Sequence, residues 1–334
     1  MNILIATGLY PPESGGPATN TKLLEERLPA RGFSVAVLPF RAVRHWPKVV
    51  RHLVYFWKCY RMARAADVVY AQDTVSVGFP AVLAARLAGA KFVVRVPGDY
   101  AWEQAGQRFG TRERIEDFQS QRFGMRVEFL RTLQRYTVRH ADRVIAPSKY
   151  LHDIVLGWGA KKEKVILIYN GIELPVPTEA PTKRPEGFLV VTAARRVPWK
   201  GIEALERVVA REKGWRVFVA DILTRPQALG WIQAADVFVL NSSYEGLSHQ
   251  LIEVMSLGTP IIATSVGGNP ELITDGVEGL LIPPQNDEAL YAALKNIEAD
   301  PVAARARAEA ARTKAGQFNI ERTLGHVVEL FKTL

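Results

Sequence analysis

Short apolar runs alternate with helical stretches along the first half of the chain. The runs are rich in β-branched side chains and lie at 3–6, 35–38, 68–71, 92–96, 143–146 and 165–168. Continuous apolar runs of this length are typical of parallel strands, because helices cover both faces of a parallel sheet. The pattern therefore predicts an α/β domain with a doubly wound sheet.

The second half repeats the pattern with fewer strands. Strands are predicted at 188–193, 216–220, 237–240 and 261–264, and helices at 202–211 and 248–257. Residues 173–186 separate the halves, and their four prolines exclude a helix or a central strand. We therefore predict an N-terminal domain over 1–172, a linker over 173–186, a C-terminal domain over 187–316, and a final helical segment over 317–334.

Length and composition allow two hydrophobic cores. The chain has 334 residues, of which 48% are hydrophobic, and a single cysteine, Cys59. One cysteine excludes an internal disulfide and is consistent with a reducing compartment. The first residues form a short strand closed by prolines rather than a charged leader, and no apolar run is long enough to span a bilayer. We therefore expect no signal peptide and a cytoplasmic protein.

The chain is strongly basic, with a formal net charge of +9. Such a charge indicates an anionic partner, which would be a nucleic acid, a phosphorylated substrate or an anionic membrane surface. No zinc-finger spacing and no RNA-binding aromatic signature occurs, so we expect no nucleic-acid partner.

Residues 41–64, hereafter the basic segment, combine positive charge with aromatic side chains. The segment holds seven Lys or Arg residues and five aromatic residues, with no Asp or Glu. It is either an ordinary surface helix with a buried aromatic face, or a helix that lies on an anionic membrane surface. The two interpretations are compatible, and the sequence leaves both open.

A candidate site follows the strand at 237–240. A polar turn carries Glu245 and Gly246, and the next helix has apolar neighbours on both sides of Glu253. The first backbone N–H groups of that helix, at Leu247, Ser248 and His249, would favour an anion. Alternatively, Glu245 is a solvated turn residue and Glu253 forms a structural ion pair in the core.

The continuation of this stretch to residue 283 carries a resemblance. A helix stop at Gly258, a buried strand and the turn Gly267-Gly268 follow. With two glutamates separated by seven residues, Glu245 and Glu253, the stretch resembles the retaining glycosyltransferases of family 4. That resemblance implies GT-B architecture, in which two doubly wound Rossmann-like domains face each other across a cleft. It also implies a UDP-, GDP- or ADP-sugar donor and no cofactor.

The resemblance assigns roles to residues of the second domain. Glu253 would bind the ribose hydroxyls of the donor, Glu245 the hexose hydroxyls, and the amides of residues 247–249 the distal phosphate. Arg195 and Lys200 match the arginine and lysine that grip the diphosphate in the family. This chain departs from the family pattern at Ala194, where glycine is usual, and at Arg196, where an apolar residue is usual. Without the resemblance, this loop is a solvated basic loop.

Two loops of the first domain are further candidates. Gly15 and Gly16 follow the first strand, before a helix that we expect to begin near Thr19, and the family places such glycines against the donor phosphates and the acceptor. Asp99 follows the strand at 92–96 and would orient the acceptor hydroxyl, because ligands bind at the carboxyl ends of parallel strands. Alternatively, the glycines form a simple turn and Asp99 is a helix N-cap.

One expected part of the family pattern is missing. Between 201 and 237 the chain has room for a single strand and helix, where the family has two βα steps. The second sheet should therefore be shortened by about one βα unit, to five strands, and recognition of the base stays open. The family also implies that the final helix crosses back onto the first domain.

The resemblance thus implies a retaining transfer of a sugar from a nucleotide-diphosphate sugar to an acceptor hydroxyl. The expected acceptor is a glycan or a lipid-linked intermediate of cell-surface polysaccharide or glycolipid synthesis, and the protein could then be peripheral on the inner membrane face. No Asp-x-Asp motif and no ligand-spaced histidine pair occurs, so we expect no metal. Two alternatives remain, a nucleotide-sugar 2-epimerase of the same fold and a non-catalytic sugar-nucleotide binder.

Overall fold

The computed structural model describes residues 1–13, 15–111, 113–175, 181, 183–194 and 196–334, without the side chain of residue 49. The chain divides into two compact units. The first unit comprises Met1–Ile168 together with Leu324–Leu334, and the second comprises Tyr169–Thr323. Residues 176–180 and 182, within the predicted linker, lie outside the described residues.

The first unit contains a parallel sheet of six strands. The strands are β1 (Asn2–Thr7), β2 (Ser34–Pro39), β3 (Val68–Ala71), β4 (Lys91–Arg95), β5 (Arg143–Ala146) and β6 (Val165–Leu167). Their order across the sheet is β2-β1-β3-β4-β5-β6. All six strands predicted for this half are confirmed.

Seven α-helices are described between these strands. They are α1 (Gly16–Arg27), α2 (Lys48–Ala63), α3 (Gly78–Ala88), α4 (Tyr100–Phe109), α5 (Ile115–Ser120), α6 (Met125–Arg139) and α7 (Lys149–Gly157). Helix α1 begins three residues before the predicted Thr19. Pro17 lies in its first turn, where the missing N–H and the fixed φ angle of proline are tolerated.

The second unit contains a parallel sheet of five strands, as predicted. They are β7 (Phe188–Thr192), β8 (Trp215–Val219), β9 (Val237–Leu240), β10 (Ile261–Thr264) and β11 (Leu280–Ile282), in the order β11-β10-β9-β7-β8. The helices are α8 (Ile202–Val209), α9 (Arg225–Gln233), α10 (His249–Leu257), α11 (Asn269–Leu272), α12 (Asp287–Ala299) and α13 (Pro301–Ala315). The last helix, α14 (Ile320–Lys332), begins in this unit.

The end of α14 belongs to the core of the first unit. Phe331 is fully buried, and its ring lies 6.1 Å from that of Phe33 and 5.5 Å from that of Tyr70. Within the described ranges, no helix combines the length and the apolarity that crossing a membrane requires.

Both sheets have the same doubly wound order, in which the chain reverses direction across the sheet once. In the first sheet this switch point lies between β1 and β3, and in the second it lies between β7 and β9. The loops that leave two such strands at their carboxyl ends run apart and open a crevice, which is where ligands bind in open α/β sheets. Ligand sites are therefore expected at the loops after β7 and β9, and at the loops after β1 and β3.

Candidate active site

The loops after β7 and β9 are bound to each other at the switch point of the second sheet. The side-chain amide of Asn241 donates to the carbonyl of Gly201 at 3.0 Å, and the backbone N–H of Ser243 donates to the carbonyl of Trp199 at 2.8 Å. Gly201 has φ 61°, and a Cβ there would lie 2.3 Å from the carbonyl oxygen of Asn241. Only glycine fits this approach, so the two loops are held in one arrangement.

Lys200 and Glu245, one from each loop, form an ion pair. Lys200 Nζ lies 2.6 Å from Glu245 Oε1, and both side chains are largely buried. A short, charge-assisted hydrogen bond of this kind is stronger than a neutral one. The structure therefore brings together two residues that the sequence indicated from separate motifs, and their charges neutralise each other.

The turn Gly267-Gly268 fixes the backbone of Glu245. The N–H of Gly268 donates to the carbonyl of Glu245 at 3.1 Å. Gly267 has φ 53°, and a Cβ at this position would lie 1.7 Å from that carbonyl oxygen. A Cβ on Gly268 would lie 2.5 Å from the carbonyl oxygen of Gly246. Both glycines are therefore required by the close packing of the two backbones.

Helix α10 begins beside Glu245. Ser248 is its N-cap, and the hydroxyl accepts from the backbone N–H of Leu251 at 3.2 Å. Among the described residues, the N–H groups of Leu247 and Ser248 have no protein acceptor. His249 is the first residue of the helix. Unsatisfied N–H groups and the positive end of the helix dipole make this point favourable for an anion.

Glu253 lies on the second turn of α10 and contacts a cation that sequence reasoning missed. Arg225 Nε donates to Glu253 Oε1 at 2.7 Å, and Arg225 Nη2 donates to the carbonyl of Glu173 at 3.3 Å. The neighbours Leu251, Ile252, Val254 and Met255 are fully buried. This apolar surrounding indicated that Glu253 needs a partner, but not that the partner begins α9.

The remaining basic residues of the loop after β7 behave differently. Arg195 lies outside the described residues. Arg196 Nη2 donates to Glu206 Oε1 at 2.8 Å, and its Nε lies 3.3 Å from Asp221 Oδ2. The guanidinium of Arg196 is therefore engaged in ion pairs of its own, and Ala194, in the position where glycine is usual, is buried.

The backbone requires glycine at only one of the two positions Gly15 and Gly16. Gly15 is the N-cap of α1 with φ 144°, and a Cβ there would lie 3.2 Å from the side chain of Leu9. A Cβ on Gly16 would meet nothing within 4 Å. The backbone geometry thus calls for glycine at the first position only.

Asp99 is buried, and protein groups satisfy both of its carboxylate oxygens. Oδ1 accepts from the backbone N–H of Trp102 at 3.1 Å and from Gln134 Nε2 at 3.0 Å. Oδ2 accepts from Gln119 Nε2 at 2.8 Å. The geometry is that of the N-cap of α4, and a role towards the acceptor hydroxyl stays a prediction.

The residues at the switch point of the first sheet were not indicated by the sequence analysis. Asp73 follows β3 and accepts from the backbone N–H groups of Val75 and Val77 at 2.9 and 3.1 Å. Gln72 is fully buried and its Oε1 accepts from Asn20 Nδ2 at 3.0 Å, whereas its Nε2 has no acceptor among the described residues. The sequence did carry a signal for this site, because Gln72 and Asp73 form a polar pair directly after a buried strand.

A titratable carboxyl lies close to this point. Burial, followed by the nearby carboxylates of Asp99 and Asp73, raises the pKa of Glu103 on α4 to about 7. Glu103 therefore carries a proton for about half of the time at neutral pH. Among the described residues, no group of three His, Cys, Asp or Glu side chains is placed to hold a metal ion.

Two doubly wound units define the class of the protein as GT-B. The structure matches that of a sucrose-phosphate synthase from Thermosynechococcus elongatus with a TM-score of 0.79, over 99% of this chain and 98% of the other, at 19% identity. It also matches HepE from Anabaena, solved in complex with UDP-glucose, with a TM-score of 0.75 over the whole of both chains, at 18% identity. At such identities the likeness concerns the fold.

The sequence comparisons give the family. Residues 4–171, half of the chain, match the family described as glycosyl transferase 4-like domain, and residues 225–314 match glycosyl transferases group 1. The chain therefore belongs to the group 1, family 4-like glycosyltransferases.

Curated relatives match over part of their length. A D-inositol 3-phosphate glycosyltransferase from Kribbella flavida is 26% identical over 247 residues, which cover 60% of this chain and 58% of the relative. A glycogen synthase from Mycobacterium tuberculosis is 25% identical over 281 residues, which cover 74% of this chain and 64% of the relative. The chain thus spans less than two thirds of the length of either relative.

Proposed function

We propose that the protein transfers a sugar from a nucleotide-diphosphate sugar to an acceptor hydroxyl with retention of anomeric configuration. The observation that carries the proposal is the Lys200–Glu245 pair at the switch point of the second sheet, beside the N-terminus of α10. A cation, a carboxylate and the N–H groups of Leu247 and Ser248, which have no acceptor among the described residues, supply binding partners for a phosphate and for a sugar hydroxyl.

The donor would occupy the second unit. Glu245 would accept from the hexose hydroxyls and Glu253 from the ribose hydroxyls, while Lys200 and the first N–H groups of α10 would hold the diphosphate. HepE, which has the same fold, was solved with UDP and with UDP-glucose, which supports a nucleotide-sugar donor. The base stays open among uridine, guanosine and adenosine.

Donor binding would rearrange the ion pair between the two loops. In the structure Lys200 is bound to Glu245, so an arriving phosphate and an arriving sugar each take one member of the pair. The positive charge of Lys200 then lies on the leaving diphosphate, where negative charge develops as the glycosidic bond breaks. Retention follows if the departing phosphate oxygen accepts the acceptor proton on the same face, so that the enzyme needs no base.

This arrangement would not require a metal or another cofactor. Lys200 and Arg195 would supply two positive charges, and the N-terminus of α10 adds roughly half a charge directed at the same phosphates. Together these approximately neutralise a diphosphate.

We propose that the acceptor is a glycan, free or carried on a lipid, and that the reaction belongs to cell-surface polysaccharide or glycolipid synthesis. A lipid-linked acceptor would place the protein at the cytoplasmic face of a membrane. Gly15, Asp99 and the residues after β3 lie at the carboxyl edge of the first sheet, the position where an open α/β sheet binds a ligand.

A donor panel with and without acceptors tests the proposal. UDP-, GDP- and ADP-sugars are incubated with the protein, and products are resolved by NMR, which also reports anomeric configuration. Acceptor-dependent transfer with retention supports the proposal, and an inverted product overturns it in this form. Inversion at C2 of the sugar without acceptor would identify an epimerase, and binding without turnover would identify a sugar-nucleotide binder.

A pair of variants ties the activity to the site. Lys200→Ala should reduce turnover by about a hundredfold or more, because loss of one preorganised donor to a developing anion costs roughly 2.7–4 kcal/mol. Lys213→Ala, which removes an exposed lysine of the same unit, should leave turnover unchanged. Equal rates in the two variants would contradict the assignment of Lys200.

A further inference from the structure

Helix α2, the main part of the basic segment, is half buried. One face carries Tyr55, Cys59 and Ala63, which are buried in the core of the first unit. Tyr55 also donates its hydroxyl to the carbonyl of Leu38 at 2.8 Å. The helix is therefore fixed in rotation, and its opposite face has a defined orientation towards solvent.

The outward face of α2 is apolar along two turns. Val50, Leu53 and Trp57 are 37%, 59% and 59% exposed, and they follow one another at intervals of three and four residues, which places them in one row on a helix. Trp46, 44% exposed, lies just before the helix. Single exposed apolar residues are ordinary on protein surfaces, whereas four large ones within one segment indicate an interaction site.

Positive charges surround this row. The exposed basic residues of the segment are Arg41, Arg44, Lys48, Lys58, Arg61 and Arg64. The segment contains no acidic residue. Arg44 pairs with Glu13 outside the segment. The face therefore presents an apolar centre and a basic border to any partner.

We propose that the basic segment docks on an anionic lipid bilayer. The side chains of Trp46, Val50, Leu53 and Trp57 enter the headgroup region, and the surrounding Lys and Arg side chains contact lipid phosphates. Charge complementarity selects this occupant, because a bilayer offers an apolar layer directly beneath an anionic one. A second copy of the chain would instead bring two basic borders against each other.

The docking face is tied to the loop between β1 and α1. Arg41 Nη1 donates to the carbonyl of Pro11 at 2.5 Å, and its guanidinium lies 5.4 Å from the centre of the Tyr10 ring. Arg44 also donates to Glu13 and, at 3.4 Å, to the carbonyl of Gly8. Docking of α2 therefore brings the switch point of the first sheet close to the bilayer surface.

Vesicle co-sedimentation tests the proposal with the full chain. The probe is a phosphatidylcholine vesicle with and without phosphatidylglycerol, at low and at high salt. We expect binding to the anionic vesicles only, and binding that weakens as salt screens the charges. Failure of the wild-type chain to sediment with anionic vesicles at low salt overturns the proposal.

Matched variants separate insertion from charge. Leu53→Glu should weaken vesicle binding by about tenfold or more, because it places a carboxylate in the headgroup region. Val302→Glu, at an 80% exposed position of the second unit, introduces the same charge and should bind vesicles like wild type. Equal binding by both variants would overturn the assignment of the apolar row.

The basic border is tested in the same way. Neutralising Lys48, Lys58 and Arg61 together should weaken binding by roughly a hundredfold, at about fivefold per charge. The triple variant Lys161→Gln/Lys162→Gln/Lys213→Gln removes three exposed charges elsewhere and should retain most of the binding. Equal losses in the two triple variants would show a response to net charge alone and would contradict a docking site in the basic segment.

Two further outcomes identify other occupants and would each overturn the proposal. A dimer in solution that Leu53→Glu dissociates, without vesicle binding, assigns the face to a second copy of the chain. Binding to single-stranded RNA without vesicle binding assigns it to a nucleic acid. The Lys200→Ala variant should bind vesicles like wild type, so that a failure of docking and a failure of the transferase function are distinguished.

Discussion

Glu245 and Glu253 differ in the cation that each contacts, which separates their expected roles in an experiment. Glu253→Gln should weaken binding of the free nucleotide diphosphate by about tenfold or more, because a hydrogen bond to a charged group contributes roughly 1.5–3 kcal/mol. Glu245→Gln should reduce turnover more than nucleotide binding, because its expected partner is the sugar and because the change releases Lys200. Calorimetry with the nucleotide alone, beside initial rates, measures both.

The control for this pair is Glu288→Gln, which removes an exposed carboxylate that pairs with Arg211, a residue outside the loops after β7 and β9. It should change neither affinity nor rate. Equal loss of nucleotide affinity in the Glu245 and Glu253 variants would contradict the division of roles.

The raised pKa of Glu103 predicts that the stability of the fold depends on pH. Its pKa is raised from 4.5 to about 7, by burial first and then by Asp99 and Asp73, so the folded chain holds this proton more tightly than the unfolded chain. The stabilisation is therefore complete below pH 4.5 and is lost as the pH rises through about 7. Glu103→Gln keeps a neutral side chain at every pH, and should unfold at a higher temperature than wild type at pH 8 but not at pH 4.5.

The expected difference in the free energy of unfolding at pH 8 is on the order of 2 kcal/mol. Calorimetric melting of both proteins across this range provides the measurement. Glu26→Gln, at an exposed helical position of the same unit, should melt like wild type at each pH. If the difference in melting temperature between wild type and Glu103→Gln is the same at every pH, the folded chain holds the Glu103 proton no more tightly than the unfolded chain.

Sequence reasoning reached Lys200 and Glu245 because each belongs to a local motif with recognisable spacing. It missed Gln72 and Asp73, although a polar pair directly after a buried strand is a local signal. It also missed Arg225, because the contact of Arg225 with Glu253 joins different parts of the chain and depends on the order of the strands. Local spacing carries no information on that order.

Two serine caps in matched positions allow a test at the level of the helix. Ser148 caps α7 through the N–H of Leu151 at 3.1 Å, and Ser248 caps α10 through the N–H of Leu251 at 3.2 Å. Either serine-to-alanine change should cost about 1 kcal/mol of stability. Only Ser248→Ala should also weaken nucleotide-diphosphate binding, because α10 alone of the two begins beside Lys200 and Glu245. Equal nucleotide affinity in the two variants would remove α10 from the phosphate site.

The strands were the most predictable elements. Ten of the eleven follow apolar runs to within one residue at either end, because a parallel strand buried on both faces leaves an uninterrupted apolar signal. The exception is β11 (Leu280–Ile282), which is three residues long and ends before two prolines. The sequence analysis predicted no strand there, whereas β6 (Val165–Leu167), of the same length, coincides with a predicted run.

At the scale of the whole molecule, the charge balance at the proposed donor site predicts activity without a divalent metal. After exhaustive treatment with EDTA, the initial rate should be unchanged, because fixed protein charges and the helix dipole offset the charge of the leaving diphosphate. The measurement is the rate with EDTA, then with added magnesium or manganese. A rate that collapses and is restored by either ion would refute the proposed role of Lys200 and Arg195.

At this scale the sequence predicts the number of strands better than the contacts between distant parts of the chain. Counting apolar runs indicated two α/β halves and four strands of the second sheet, whereas the fifth strand was expected from the family resemblance alone. The sequence did not indicate which residues of the first sheet meet at the switch point, because that depends on contacts between parts of the chain that are distant in sequence. The crossing of the final helix onto the first domain was expected from the family resemblance alone, and the structure groups Leu324–Leu334 with the first unit.

The packing of Gly267 against Glu245 has a consequence for exchanging parts between relatives. The two backbones are so close that neither the turn after β9 nor the turn after β10 has space to change alone. If residues 242–248 are replaced by those of another transferase to alter sugar preference, residues 265–269 should therefore have to come from that same transferase. The two segments would therefore be inherited together, and a recombination event that separates them would disrupt the specificity of this site.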